Sequence, residues 1–276
     1  MTTPASSVTS PSKDQYLLRV GDLEMLVDAA KAGRIVRFAR RDHNVLLESS
    51  AQPEMYGSTF WTSPQNGEGG WGWPPVVEID SAPYRAEVTS TSLLLSGPRV
   101  KVAGAEISVS KRFEADAATE TILVSYVIAN HGAETATFAP WEITRVAAKG
   151  LTFFPTGRLS EPLLGKLRPL VEESGISWFD WQRSAPLSGD GKFCGDGSEG
   201  WVAHAAGALL MVKRFEDVLP GQQAPGEGEI ELYAEADKLY EEVEQQGRYA
   251  PILPGHSLTW SVRWALVPLS APAVLG

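Results

Sequence analysis

Several groups of side chains in this sequence have the types and spacing that chemistry needs. The first is Tyr240-Glu241-Glu242-Val243-Glu244-Gln245-Gln246-Gly247. On a strand, alternate side chains share a face, so Glu242 and Glu244 stand together while Glu241 and Val243 take the other side. A carboxylate lifted in pKa by burial or by its twin can act as a general base on a hydroxyl group. The competing reading is a solvated acidic face on a chain whose formal charge is −10.

The second group is Pro140-Trp141-Glu142-Ile143-Thr144-Arg145 at the end of a clear strand pattern. Alternation places Glu142 and Thr144 on one face and Trp141 and Ile143 on the other, which is expected to be the core face. Glu142 and Thr144 then offer an acceptor and a hydroxyl to a ligand, or are ordinary solvent-facing positions. A third group runs from Gly57 to Gln65 and from Gly69 to Pro75, where glycines and prolines argue against a regular element around Trp61, Trp71 and Trp73. Aromatic faces on loops serve binding, and the alternative is a plug closing one end of the fold. Arg34 and Arg37, three apart and so on opposite faces of an early strand, put one guanidinium toward a ligand, and Arg34 is the expected one.

The four histidines, His43, His131, His204 and His256, do not form a metal-ligand spacing. His204 is either an acid pointing into a pocket or a hydrogen-bonded histidine of a sheet. No Gly-x-Ser-x-Gly elbow, phosphate loop or dinucleotide fingerprint is present. These patterns argue against hydrolase and nucleotide chemistry, and no metal or cofactor is implied.

The elements that must carry these groups are strands. From Tyr16 onward, short runs of period-two alternation are broken by Gly, Pro, Asn and Asp, as in Ala105 to Phe113, Thr121 to Asn130 and Ser257 to Val267. Hairpin turns are expected at Ala103-Gly104, Asn130-His131-Gly132 and Pro254-Gly255-His256. Many short strands without long helices between them imply a sandwich. Ala236 to Gln246 admits a helix, and the strand reading is preferred for Tyr240 to Glu244. Arg158 to Gly197 is expected to be a long irregular connection, functional or a loose insertion.

With 276 residues and 43% hydrophobic content, the chain can bury a large core. The expected organisation is a disordered Ser-, Thr- and Pro-rich lead over 1–15 and a single domain over 16–270. Scattered basic residues on an acidic chain exclude a nucleic-acid partner. No run reaches the roughly 18 apolar residues of a membrane helix, so the chain is expected not to bind membrane. The single Cys194 rules out an internal disulfide, and a cytoplasmic location is expected. Nine Trp is a high count, and indole faces pack on the apolar face of a pyranose ring as well as in cores.

In their order along the chain, Gly33-Arg34-Ile35-Val36-Arg37-Phe38 with Asn44-Val45-Leu46-Leu47, the Trp61-to-Gln65 and Trp71-to-Pro75 loop, and Asn130 with Pro140-to-Thr144 resemble galactose mutarotase-like proteins. So do Glu242-to-Gly247 and Leu253-Pro254-Gly255-His256-Ser257. The resemblance spans roughly Gly21 to Leu266 and is to an uncharacterised branch of that superfamily. It implies an all-β, large antiparallel supersandwich with a sugar groove across one sheet. In active aldose 1-epimerases a glutamate near the C-terminus takes the anomeric proton and a histidine protonates the ring oxygen. The resemblance makes Glu242 that glutamate, with Glu244 as its understudy. The Asn-His and His-Pro-Tyr signatures of the acid are absent here, which leaves Glu142 as a substitute acid. The reading is therefore a protein that binds a sugar or oligosaccharide, with 1-epimerase activity as its enzymatic form. Glu242, Glu244 and Glu142 are its catalytic candidates, and Arg34, Trp61, Trp71, Trp73, Thr144 and His204 its substrate-binding candidates. The alternative is a structural or protein-interaction domain whose Trp loops are a plug or a contact surface.

Overall fold

The computed structural model describes residues 6–67, 69–157, 167–184, 190–235, 237 and 239–271. They form two large antiparallel sheets. The main path of the first, eleven-stranded sheet runs Ser6–Ser12, Gln15–Val20, Leu23–Asp28, Arg34–Arg40, Ser58–Ser63, Ala136–Ala147, Tyr240–Gln246, Ile230–Ala234, Gly191–Gly195. The second, ten-stranded sheet runs Val171–Glu173, Ile176–Asp180, Leu151–Pro155, Trp201–Ala206, Leu209–Arg214, Ser257–Pro268, Thr121–Asn130, Ala105–Asp116, Ser92–Val102, Arg85–Val88. No helix among the described residues is long and apolar enough to cross a membrane.

Local chemistry explains the turns and strand boundaries. Ala103 and Gly104 join two long strands with φ of 48° and 86°, the double positive φ of the type I′ turn that matches strand twist. Gly57 (φ 62°) opens the Ser58–Ser63 strand where a Cβ would meet the Ile35 carbonyl oxygen at 2.3 Å. Only glycine allows the chain to pass so close to the Arg34–Arg40 strand there. The Tyr240–Gln246 segment is a strand, as preferred, and residues 236 and 238 lie outside the described residues.

Three expectations about elements are corrected. Ser6–Ser12 is a strand paired with Gln15–Val20, so the described part of the 1–15 lead is ordered; hydroxyl-bearing residues suit an edge strand that faces water. Ser58–Ser63 is likewise a regular strand with all six residues buried, because its glycine and proline flank it rather than interrupt it. Within Arg158 to Gly197 the described residues hold Val171–Glu173, Ile176–Asp180, a short helix Trp181–Ser184 and Gly191–Gly195; residues 158–166 and 185–189 lie outside the described residues.

The sheets pack through one continuous apolar cluster that includes Phe38, Phe60, Leu232 and Val243 from the first sheet and Phe113, Val124, Val262 and Trp264 from the second. A polar knot sits among them. Lys213 Nζ lies 2.9 Å from Glu142 Oε1, with both side chains wholly buried. Tyr126 Oη and Gln245 Nε2 also donate to Glu142, and Lys213 donates to Thr144. The Lys213 ammonium stands 4.1 Å from the Trp264 ring centre. Lys213 and Tyr126 come from one sheet and Glu142, Thr144 and Gln245 from the other, so the knot ties the two together. Removing one partner of such a pair strands a buried charge, whereas removing both does not. Lys213→Met should therefore lose about 3–5 kcal/mol in urea unfolding. The double variant Glu142→Gln/Lys213→Met should recover a large part of that loss.

A second amine, Lys111, is 2% exposed and lies 5.8, 5.7 and 6.0 Å from the ring centres of Phe60, Tyr84 and Tyr126. Burial pushes its pKa down to about 7, with Asp80 offsetting part of the effect. Its folded pKa thus lies below the ordinary 10.5, so the folded state releases a proton that the unfolded chain keeps. This contribution to stability is whole above pH 10.5 and falls as the pH drops toward 7, at up to about 1.4 kcal/mol per pH unit. Lys111→Met should flatten that slope between pH 9.5 and 7 and raise the neutral-pH unfolding midpoint, as read by urea titration at both values.

Candidate functional site

The strand Ala136–Ala147 lies at the centre of the site. Its even residues Phe138, Glu142, Thr144 and Val146 point between the sheets, where Phe138 and Val146 join the core and Glu142 and Thr144 join the polar knot. Its odd residues Trp141, Ile143 and Arg145 therefore stand on the outer face. Residues directly opposed in an antiparallel pair share a face. Trp141 faces Trp61 on one side and Gln246 on the other, Ile143 faces Glu244, and Arg145 faces Glu242. One strand further, Glu244 faces Glu231 and Glu242 faces Tyr233, which in turn faces Lys192.

Three ion pairs organise this face. Arg145 donates from Nε to Glu242 Oε1 at 2.8 Å and from Nη1 to Thr59 Oγ1 at 3.1 Å; its buried Nη2 has no partner among the described residues. Lys192 Nζ lies 2.7 Å from Glu231 Oε2 and 2.8 Å from Glu244 Oε1, and Trp141 Nε1 donates to the other Glu244 oxygen at 2.8 Å. Glu244 is fully enclosed, whereas the Lys192 side chain is 35% exposed and that of Glu242 is 13% exposed. Burial pushes the Glu244 carboxyl up, Lys192 pulls it back, and the neighbouring carboxylates of Glu242 and Glu231 raise it again, to about 8. For Lys192, burial alone would lower the ammonium pKa; Glu231 and then Glu244 more than offset this and hold it well above its ordinary value.

A wall of four indoles borders these pairs. Trp61 packs edge-on against Trp71, Trp73 and Trp141, with ring centres 5.6, 6.3 and 5.3 Å apart. Trp61 Nε1 donates to Asp80 at 2.8 Å, and Trp71 Nε1 donates to the Thr62 carbonyl at 2.7 Å. The Arg145 guanidinium stands 5.5 Å from the Trp61 ring centre. Exposure differs sharply along the wall, from 3% for Trp141 to 62% for Trp73.

Glu242, Glu244, Trp61, Trp71 and Trp73 are thus brought together. Glu142 and Thr144 are not: the face holding Trp141 and Ile143 is the outer one, reversing the sequence expectation. The reason is that the interior at this level is polar, offering Lys213, Tyr126 and Gln245 as partners. His204 belongs to neither group, being buried in the second sheet with Nδ1 2.9 Å from Thr152 Oγ1. Arg34 lies at the foot of the Trp wall, 5% exposed, and spends its donors on Asp80 and on the Glu54 and Tyr56 carbonyls. Sequence reasoning missed Arg145, Trp141 and Lys192 as members of the site. The first two follow from alternation once the face is known. Lys192 carries no local signal, because only the pairing of distant strands places it beside Glu244.

The indole wall predicts two contrasting outcomes. Trp61→Ala should destabilise by about 3–5 kcal/mol, as buried Trp truncations do. Trp73→Ala should stay within about 0.5 kcal/mol of the parent in thermal unfolding.

No family model and no curated protein matches the sequence. Solved structures do match its shape. A galactose mutarotase-like protein from Lactobacillus casei ATCC 334 aligns with a TM-score of 0.65 at 7% identity, covering 92% of this chain and 100% of that one. A galactose mutarotase-like protein from Clostridium acetobutylicum aligns at 0.59 with 10% identity, covering 97% and 99%. Galactose 1-epimerase from Lactobacillus acidophilus NCFM aligns at 0.57 with 11% identity, covering 96% and 99%. Two antiparallel sheets in this arrangement, matched end to end by such structures, give the chain the galactose mutarotase-like supersandwich fold.

Proposed function

We propose that the outer face of the first sheet binds a sugar and interconverts its anomers. The observation that carries this reading is the side-by-side placement of two unlike carboxyl groups, Glu242 ion-paired to Arg145 and Glu244 pushed up to about 8, beside a Trp wall. Paired titratable groups whose surroundings differ in this way are the pattern of acid–base sites. Trp73, the exposed indole, offers its ring to the apolar face of a pyranose.

In this mechanism Glu242 accepts the proton of the anomeric hydroxyl. The C1–O5 bond breaks as the C1=O1 bond forms, and O5 takes a proton through Lys192, the solvent-reaching member of the Lys192–Glu244 pair, which recovers one from the raised Glu244 carboxyl. Rotation about C1–C2 presents the other carbonyl face. Reclosure returns one proton to O1 from Glu242 and one from O5 to the pair, so both groups end as they began.

One observation favours binding without turnover. None of the four histidines lies on this face: His204 is in the second sheet, His131 bonds Ser108, and His43 and His256 are exposed at turns. The experiment is polarimetry of freshly dissolved α-glucose and α-galactose, with Trp fluorescence titration of the same sugars. The parent should speed anomerisation, and Glu242→Gln should lose about 10²–10⁴-fold in rate while still binding. Saturable binding with no acceleration would establish the binding-only reading, and an undiminished Glu242→Gln would remove Glu242 as the base.

A further inference from the structure

Opening a sugar ring on this face sets an amine beside an aldehyde. C1 and O5 are bonded neighbours until the ring opens, so the amine that serves O5 stands next to the new C1 carbonyl. A neutral lysine condenses with such a carbonyl. The Nζ lone pair bonds to C1, and O1 leaves as water with both amine protons, giving an imine. An ammonium has no lone pair to begin this reaction, so the neighbours of Lys192 decide whether it runs.

Lys192 stands on the strand Gly191–Gly195 with a 35% exposed side chain, open enough for a small aldehyde. Its Nζ lies 2.7 Å from Glu231 Oε2 and 2.8 Å from Glu244 Oε1. The two carboxyls differ. Glu244, raised to about 8, holds a proton that it can return to the amine. Glu231 is 2% exposed, and its other oxygen accepts from the Gly228 amide at 2.8 Å and from Gln246 Nε2 at 3.4 Å. Both Glu231 oxygens thus meet donors, the arrangement of an ionised carboxylate.

Tyr233, directly opposite on the next strand, and Cys194, two residues along, are further titratable groups beside Lys192. Burial raises both above their ordinary values, so both are uncharged at neutral pH. The Trp141 ring centre lies 5.5 Å from Nζ. The standing negative charge against the ammonium is therefore that of Glu231.

We propose that Glu231 is a positioning residue that keeps Lys192 an acid and stops it from attacking the aldehyde of an opened sugar. The purpose of this role rests on the sugar reading, whereas the suppression belongs to the ion pair and extends to any small aldehyde. Without the Glu231 charge, the amine loses the pull on its third proton, and the site becomes open to inactivation by its own intermediate.

The test uses formaldehyde with cyanoborohydride, which methylates neutral amines, and reads each lysine by peptide mass spectrometry from about pH 6 to 11. In the parent, Lys192 should label only at higher pH than the exposed Lys13, Lys101 and Lys149. Glu231→Gln should move the Lys192 profile to lower pH and raise its labelling near pH 8 by about tenfold or more relative to those three. Glu231→Asp, which retains the charge, should keep the parent profile. With galactose in place of formaldehyde, hydride from cyanoborohydride reduces the imine to a secondary amine, and Glu231→Gln should gain a hexose on Lys192 that the parent lacks. A parent Lys192 that labels at the same pH as the exposed lysines would overturn the proposal even if Glu231→Gln fails to fold. So would a Glu231→Gln profile raised equally at every pH, the mark of a site merely loosened. A parent that speeds anomerisation beside a Glu231→Gln variant that takes up no hexose would overturn it as well. A formaldehyde shift as expected, with no acceleration of anomerisation by the parent, would remove the sugar reading and leave the Glu231 assignment standing.

Discussion

The fold depends on how one strand, Ala136–Ala147, divides its side chains between two environments. Inward, Glu142 reaches across to Lys213 and anchors the two sheets at a common level. Outward, Trp141 and Arg145 collect the ends of partners from strands far apart in sequence. A strand cannot slip by one residue without exchanging those sets. The buried ion pair thus fixes register as well as joining layers, and the outer face inherits its composition from what the interior has claimed.

Much of the architecture was legible because period-two alternation and turn residues are local. The Ala103-Gly104 turn, the Tyr240–Gln246 strand and the pairing of Glu242 with Glu244 on one face all follow from neighbouring residues. Alternation, however, distinguishes two faces without saying which is inside. Trp141 and Ile143 look like core residues, and Glu142 and Thr144 like surface ones. The opposite holds, because Lys213 and Tyr126 arrive from another sheet to satisfy the polar pair and other indoles arrive to cover the apolar one. Ser58–Ser63 was misread for a related reason. Its flanking glycine and prolines mark strand ends, and the segment between them is wholly buried.

The Trp wall unites two roles that sequence reasoning had set against each other. Trp61 and Trp141 are covered and make edge-to-face contacts worth roughly 0.5–1.5 kcal/mol apiece beyond their buried area. Trp73 leans on this rigid base while presenting most of its own surface to solvent. A ligand meeting Trp73 therefore meets a ring held from behind, which lowers the ordering cost of binding. Plug and platform are successive layers of one aromatic stack.

The first described strand decides what the edge of the first sheet presents to its surroundings. Ser6–Ser12 forms an outer edge of the first sheet, and its Val8 amide also donates to the Ser90 carbonyl, closing a corner between the two sheets. Behind it lies Gln15–Val20, whose Leu18 and Val20 are wholly buried. A strand of hydroxyl side chains thus screens an apolar one from any passing backbone. Without that screen, the free amides and carbonyls of Gln15–Val20 would form a sticky margin open to other chains. Residues that look like a polar tail in the sequence act in the fold as a polar cover over an apolar strand.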